Sequence, residues 1–280
     1  MLDLKKYEVL QDIFRGLDRV LVAYSGGVDS TLVAKVAHDV LGERAVAVTA
    51  ASPSLMSEDL DDAIDQAQVI GIRHEVVETD ELANPNYAAN PVDRCYFCKS
   101  ELHGTLVPLA AEWGIAAVVD GANLDDLGDY RPGFRAAREK GIRSPLIEAG
   151  YTKLEVRALS RHLGLVTWDK PAMPCLSSRF PYGETITREK LLRLANAERH
   201  LRRLGLRHFR VRSAGDTARI EVEPDRIREF VNAVNLPELV AAFQSYGFVF
   251  VTLDLEGFRS GKLNAALTPE QRSAHTALRP

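Results

Sequence analysis

The first part of the chain alternates short apolar runs with stretches of helical spacing. Residues 20–24 form a continuous apolar run, the signature of a strand buried on both faces. Residues 45–50 repeat that pattern, and 73–79 and 116–120 read as further strands. Between and before them, residues 4–14, 31–41, 57–70 and 99–113 place apolar side chains at helical intervals. Gly42 closes the second of these helices, and acidic residues open the third, where the helix dipole favours them. A short element begins at 142–146, and residues 151–163 form a further helix stopped by Gly164. Strand and helix in alternation predict an α/β domain with a Rossmann-like parallel sheet. Residues 80–94, rich in Asn and Pro, break the rhythm and read as an exposed loop near the strand ends.

Residues 169–183 contain three prolines and a glycine and mark a domain boundary. Beyond them the pattern changes. An amphipathic helix spans 187–204 and ends at Gly205. Strands follow at 208–212 and 218–222 around a turn at 216–217. A helix runs from Pro224 through Val234, a third strand covers 248–254, and 257–264 is a polar loop. This predicts a smaller α+β domain. The division expected is 1–170, 171–270 and a frayed tail, 271–280.

Composition narrows the class. A chain of 280 residues with 46% apolar content supports one large or two ordinary domains. A formal charge of -4 provides no general attraction for nucleic acid. No apolar run reaches membrane-spanning length, and the N-terminus reads as a charged amphipathic helix rather than a signal peptide. Three cysteines in a chain of this length are no disulfide framework. The expected compartment is the cytosol, and the cysteines become candidates for chemistry.

The first candidate site is Ser25-Gly26-Gly27-Val28-Asp29-Ser30, set between strand and helix. Two glycines let backbone approach a ligand closely, and a helix start offers unpaired N–H groups, so the stretch can seat phosphate. It lacks the GK[ST] ending of a Walker loop and the spacing of a dinucleotide GxGxxG. The acidic residues Asp125, Asp126 and Asp129 follow a strand end, the edge where open α/β sheets gather ligands. Lys153 and Arg157, four apart on a helix, share a face that could meet phosphates or merely cover surface. The SGGxDS spacing resembles the pyrophosphate loop of the ATP pyrophosphatases, which cleave ATP between its α and β phosphates and adenylate a substrate. That resemblance implies that Ser25, Gly26, Gly27, Asp29 and Ser30 hold ATP and Mg²⁺, with Asp125 and Lys153 assisting. Lys153 and Arg157 also resemble the Lys-x-x-x-Arg helix of GMP synthetase and its relatives.

The second candidate is Cys175, inside the boundary segment and followed by two serines and an arginine. Thiolate is the reactive form of cysteine, and cations lower its pKa; Lys170 and Arg179 flank Cys175 in sequence. Cys95-x-x-Cys98 has ligand or redox spacing. Further on, a period of two puts Arg210 and Arg212 on one strand face, and Glu221 and Glu223 on one face of the next. Cross-strand ion pairs and an anion site are both open readings of that pattern.

Taken together, SGGVDS, RCYFCK, GANLDDLGDYRPG, PCLSSRFPYG, RVR and ARIEVEP resemble the LarE family, which makes the nickel-pincer nucleotide cofactor of lactate racemase. The resemblance spans about residues 5–265. It implies a sulfur transferase that adenylates a carboxylate of a pyridinium biscarboxylic acid mononucleotide. Cys175, Asp29 and Lys153 would be catalytic. Arg179, Arg210 and Arg212 would bind substrate. Glu198, Glu221 and Glu223 would lie near it, through a second divalent metal. Cys175 would supply the sulfur and become dehydroalanine. Alternatively, Cys95, Cys98 and Cys175 would hold a [4Fe–4S] cluster. The resemblance implies a homo-oligomer, with a hexamer as the candidate state, and other proteins of the cofactor pathway as partners. The other readings are a tRNA thiolase of the same superfamily and a non-catalytic nucleotide-binding scaffold.

Overall fold

A computed structural model describes residues 3–128, 132–171, 174–259, 261–266 and 268. The chain divides into two compact units. One gathers the described residues up to Glu81 and from 93 to 171; the other gathers 82–92 and the described residues from Pro174 onward.

The first unit is built on a four-stranded parallel sheet: β1 (Val20–Ala23), β2 (Ala45–Ala51), β3 (Arg73–Glu78) and β4 (Ala117–Val119), in the order β3-β2-β1-β4. Side chains alternate across it. Val20, Val22, Ala45 and Ala47 enter one core with the Leu4–Arg15, Val28–Leu41 and Lys153–His162 helices. Leu21, Val46 and Val48 enter a second core with Leu106 and Ala110 of the Arg94–Glu112 helix. Burial on both faces is why β1 and β2 read as apolar runs. β1 is central, and the chain leaves it toward β2 on one side while β4 pairs on the other. The crevice past the ends of β1 and β4 is therefore the topological switch point, where α/β sheets take ligands.

The expected α/β class stands, with shifted boundaries. The helix after β1 starts at Val28 rather than 31, so half of the glycine loop is its first turn. The cysteine pair lies inside the Arg94–Glu112 helix rather than before it. The predicted exposed loop at 80–94 is the clearest departure. It carries a short helix, Pro85–Ala88, and buries Tyr87 and Asn90 completely. Asn90 Nδ2 donates to the Pro181 carbonyl (2.7 Å), and its own carbonyl accepts from Gly183 N (2.8 Å). Its backbone takes a positive φ of 53°, a conformation asparagine tolerates better than most residues. Asn and Pro here are local backbone devices, which composition alone does not separate from a solvated loop.

The second unit holds β5 (Phe209–Ala214), β6 (Thr217–Val222) and β7 (Phe250–Leu253). β5 and β6 are antiparallel and β6 and β7 parallel. The Arg188–Arg203, Ile227–Ala233 and Leu236–Ser245 helices belong to the same unit. The last of these is absent from the pattern reading. Its start was visible, because Asn235 caps Glu238 N and Pro237 sits in the first turn. Glu223 falls past the end of β6, so it does not share a strand face with Glu221.

Candidate active site

The phosphate loop is tied to itself before it meets any ligand. Ser30 Oγ accepts from Ser25 N (3.2 Å), lies 3.1 Å from Ser25 Oγ and donates to the Gly27 carbonyl (3.2 Å). No side chain caps the Val28–Leu41 helix, so its first turn keeps the N–H groups that bind anions. Two glycines are sterically required. Gly26 has φ +66°, and a Cβ there would stand 2.8 Å from Ala63 Cβ. Gly121, just past β4, presses on the loop so closely that a Cβ would meet Ser30 N at 2.7 Å. The loops after β1 and β4 are thus packed together at the switch point.

Asp29 is the hub. Its Oδ1 accepts from Asn123 Nδ2 (3.1 Å), and its Oδ2 forms an ion pair with Lys153 Nζ. Asp125 Oδ2 accepts from Lys153 N (2.9 Å), and Asn123 Oδ1 accepts from Asp125 N (3.0 Å). Asp29, Ser30, Asp125 and Lys153 are therefore brought together. Asn123, nearly fully buried, is the member the sequence reading missed; its only signal was its place directly after a strand end. Asp126 accepts from Asn123 N and so braces the turn, while Asp129 lies outside the described residues. Arg157 faces elsewhere. It donates to the carbonyls of Trp168 (2.6 Å) and Lys170 (2.9 Å).

The Cys175 segment is held by its backbone. Arg179, 2% exposed, donates Nη1 to the carbonyls of Pro174 (2.6 Å) and Cys175 (3.2 Å) and to Ser178 Oγ (2.8 Å). Its Nε and Nη2 grip Glu198 at 2.8 and 3.0 Å. Arg212 Nη1 donates to the Ser178 carbonyl (2.9 Å), and the Tyr87 hydroxyl bonds Ser177 Oγ (2.6 Å). Cys175 itself is partly buried, and none of the three cysteines is in a disulfide.

Several of the expected residues have partners within the protein. Arg179 is buried, with its donors on the carbonyls of Pro174 and Cys175, on Ser178 and on Glu198. Lys170 is held in the first unit by Asp62 (3.0 Å) and the Gly26 carbonyl (3.4 Å). Arg210 is 7% exposed with its guanidinium over the Phe258 ring, and burial beside Arg179 pushes its pKa down to about 10. Burial works against the charge of Glu198, but Arg179 outweighs it and holds the carboxyl below its ordinary value. Glu221, fully buried, pairs with Arg212 (3.1 Å) and Arg219 (3.4 Å). Glu198 and Glu221 thus pair with arginines, and Glu223 follows the end of β6. Among the described residues no three His, Cys, Asp or Glu side chains gather as a metal-holding group. Cys95 and Cys98 belong to the first unit and Cys175 to the second. His103, fully buried on the Arg94–Glu112 helix, is kept neutral, its pKa lowered to about 3 by burial and then by Lys99. It is no acid–base group at neutral pH.

Comparison with known proteins agrees with this geometry. The NAD synthase family model matches residues 7–90, which include the loop and the first three strands. An uncharacterised protein of Synechocystis sp. is 64% identical over 94% of this chain and 98% of its own length. The pyridinium-3,5-bisthiocarboxylic acid mononucleotide synthase of Lactiplantibacillus plantarum is 43% identical over 95% of this chain and 96% of its own. The tRNA-specific 2-thiouridylase of Rhizobium rhizogenes is 30% identical, but over 61% of this chain and 54% of its own length. With a glycine loop braced by Asp29 and Lys153, a cysteine loop clamped by arginines, and full-length similarity to a synthase of that kind, the chain belongs to the LarE family of the ATP pyrophosphatase superfamily.

Proposed function

We propose that the protein transfers sulfur, at the expense of ATP, to a pyridinium biscarboxylic acid mononucleotide, yielding the thiocarboxylate. The observation that carries this reading is the pairing of two devices in one chain. One is a phosphate loop with Asp29, Asn123 and Lys153 at its helix start. The other is a cysteine whose flanking backbone is immobilised by Arg179, Arg212 and Tyr87. In division of labour, 1–170 activates the substrate with ATP, and 171–270 supplies sulfur and binds the acceptor.

The loop N–H groups, Ser25 and Ser30 hold the phosphates, and Lys153 offsets their charge. Mg²⁺ is typically bound through one or two carboxylates plus substrate phosphates. Asp29 and Asp125, joined through Lys153, fit that demand, and the ion neutralises phosphate charge when bound. A substrate carboxylate attacks the α-phosphorus and pyrophosphate leaves. The Cys175 thiolate attacks the resulting acyl carbon, and AMP departs as the thioester forms. Removal of the Cys175 Cα proton expels the sulfur by Cβ–S cleavage, leaving dehydroalanine in the chain and a thiocarboxylate on the product. Arg179 and Arg212 restrain the cysteine loop, which keeps the thiol in place through both carbon–sulfur steps.

The test is incubation with ATP and the pyridinium biscarboxylate nucleotide, followed by mass spectrometry of product and protein. The wild-type chain should lose the mass of hydrogen sulfide as thiocarboxylate appears. C175A should still release pyrophosphate and form no thiocarboxylate. Product formed while Cys175 stays intact, with iron bound to the protein, would overturn sulfur donation by Cys175. The family relationship also suggests a cytosolic homo-oligomer, which light scattering checks. No helix among the described residues is long and apolar enough to cross a membrane.

A further inference from the structure

Lys170 is unlike an ordinary surface lysine. Its backbone is fixed from three directions. Its N–H bonds the Thr167 carbonyl (3.0 Å), its carbonyl accepts from Arg157 Nη2 (2.9 Å), and Pro171 follows, which restricts it to extended geometry. The side chain is 19% exposed, yet its partner Asp62 is 60% exposed. A pair with so exposed an acid contributes little, which alone does not justify withdrawing an ammonium from water. The Nζ also stands 3.4 Å from the carbonyl of Gly26, inside the phosphate loop. Lys153 meets the other end of that loop at Asp29. Two lysines therefore bracket one loop, and the function drawn above uses only Lys153.

We propose that Lys170 is a second phosphate-binding cation of this loop, that Asp62 occupies it until nucleotide arrives, and that it takes the β- and γ-phosphates of ATP and then the departing pyrophosphate. Arg157 is the positioning residue that fixes the backbone from which Lys170 reaches. The inference rests on the ATP reading. Lysine serves well here because it is a point charge on a flexible stem and can exchange one anion for another.

The probes are α,β-methylene-ATP, pyrophosphate and AMP, with dissociation constants measured on the full chain by calorimetry. K170M should weaken the ATP analogue and pyrophosphate by about tenfold, in the range expected for a charge-assisted hydrogen bond, and leave AMP within about twofold. D62N should tighten the ATP analogue by removing the competing acid, and that gain should vanish in K170M/D62N. Equal weakening of AMP by K170M, no change in the analogue, or a D62N gain that survives K170M would each overturn the proposal. Failure of the wild type to bind any of the three probes would instead overturn the ATP reading beneath it.

Discussion

Arg179 and Glu198 show how a side chain's role depends on its partners. Both are almost fully buried, and their bidentate pair is completed by Val211 N, which donates to Glu198 at 3.2 Å. Burying two charges is costly, and the pair's value lies in what it orders. Here it orders the carbonyls of Pro174 and Cys175. Removing one partner leaves an uncompensated buried charge, so E198A should lose about 3–5 kcal/mol in urea unfolding. The double variant R179M/E198M should lose less stability while still slowing sulfur transfer. A double variant with undiminished sulfur transfer would show that Arg179 does not position Cys175.

At the level of elements, the Gly26 turn and the start of the Lys153–His162 helix set the precision of the phosphate site. G26A meets two obstacles. Its φ of +66° costs an L-residue roughly 1–2 kcal/mol, and its Cβ collides with the Ser57–Ile70 helix at Ala63. G26A should therefore lower both the melting temperature and ATP-analogue affinity. G26A/A63G should recover only part of the loss, since removing the clash leaves the backbone strain. The second element begins in a capping box. Thr152 Oγ1 accepts from Glu155 N, and Thr152 N donates to Glu155 Oε2 (2.8 Å). The bond from Lys6 Nζ, then that backbone bond, lowers the Glu155 pKa to about 2. A depressed carboxyl contributes its full stability above its unfolded pKa and loses it as pH falls through the folded one. E155A should therefore cost about 1 kcal/mol at neutral pH, a cap-sized loss for a part-exposed group. The difference from wild type should shrink below the ordinary glutamate range and be lost as the pH falls through the folded value. A difference constant with pH would contradict the assignment.

At the scale of the whole molecule, the segment 82–92 is the informative feature. It lies in sequence among the elements of the first unit but belongs to the second, where Tyr87 reaches Ser177 and Ala88 accepts from Ile186 N (2.8 Å). Y87A should raise amide exchange across 175–186 and leave the β3-β2-β1-β4 sheet protected. Exchange rising equally in that sheet would mean that the segment serves general stability, not the cysteine loop.

The parallel sheet, the phosphate loop and the reactive-cysteine candidate were legible in the residues because their signals are local. Strands buried on both faces must be apolar throughout, as β1 and β2 are. A loop that admits phosphate must be small where backbone approaches, as at Gly26. A chemically distinct residue such as Cys175 announces itself. The partners of charged groups were not legible. Arg210 and Arg212 alternate on β5 whether they face a ligand or Glu221, and Lys170 sits near Cys175 in sequence while bonding Gly26 and Asp62. Ion pairs and buried hydrogen bonds join residues far apart along the chain, at Tyr87 and Ser177 as at Lys153 and Asp29. Local pattern dictated which elements form and where phosphate can sit. Folding alone decided which carboxylate meets which cation, because that choice depends on distance and burial in space and leaves no periodic trace in the order of residues.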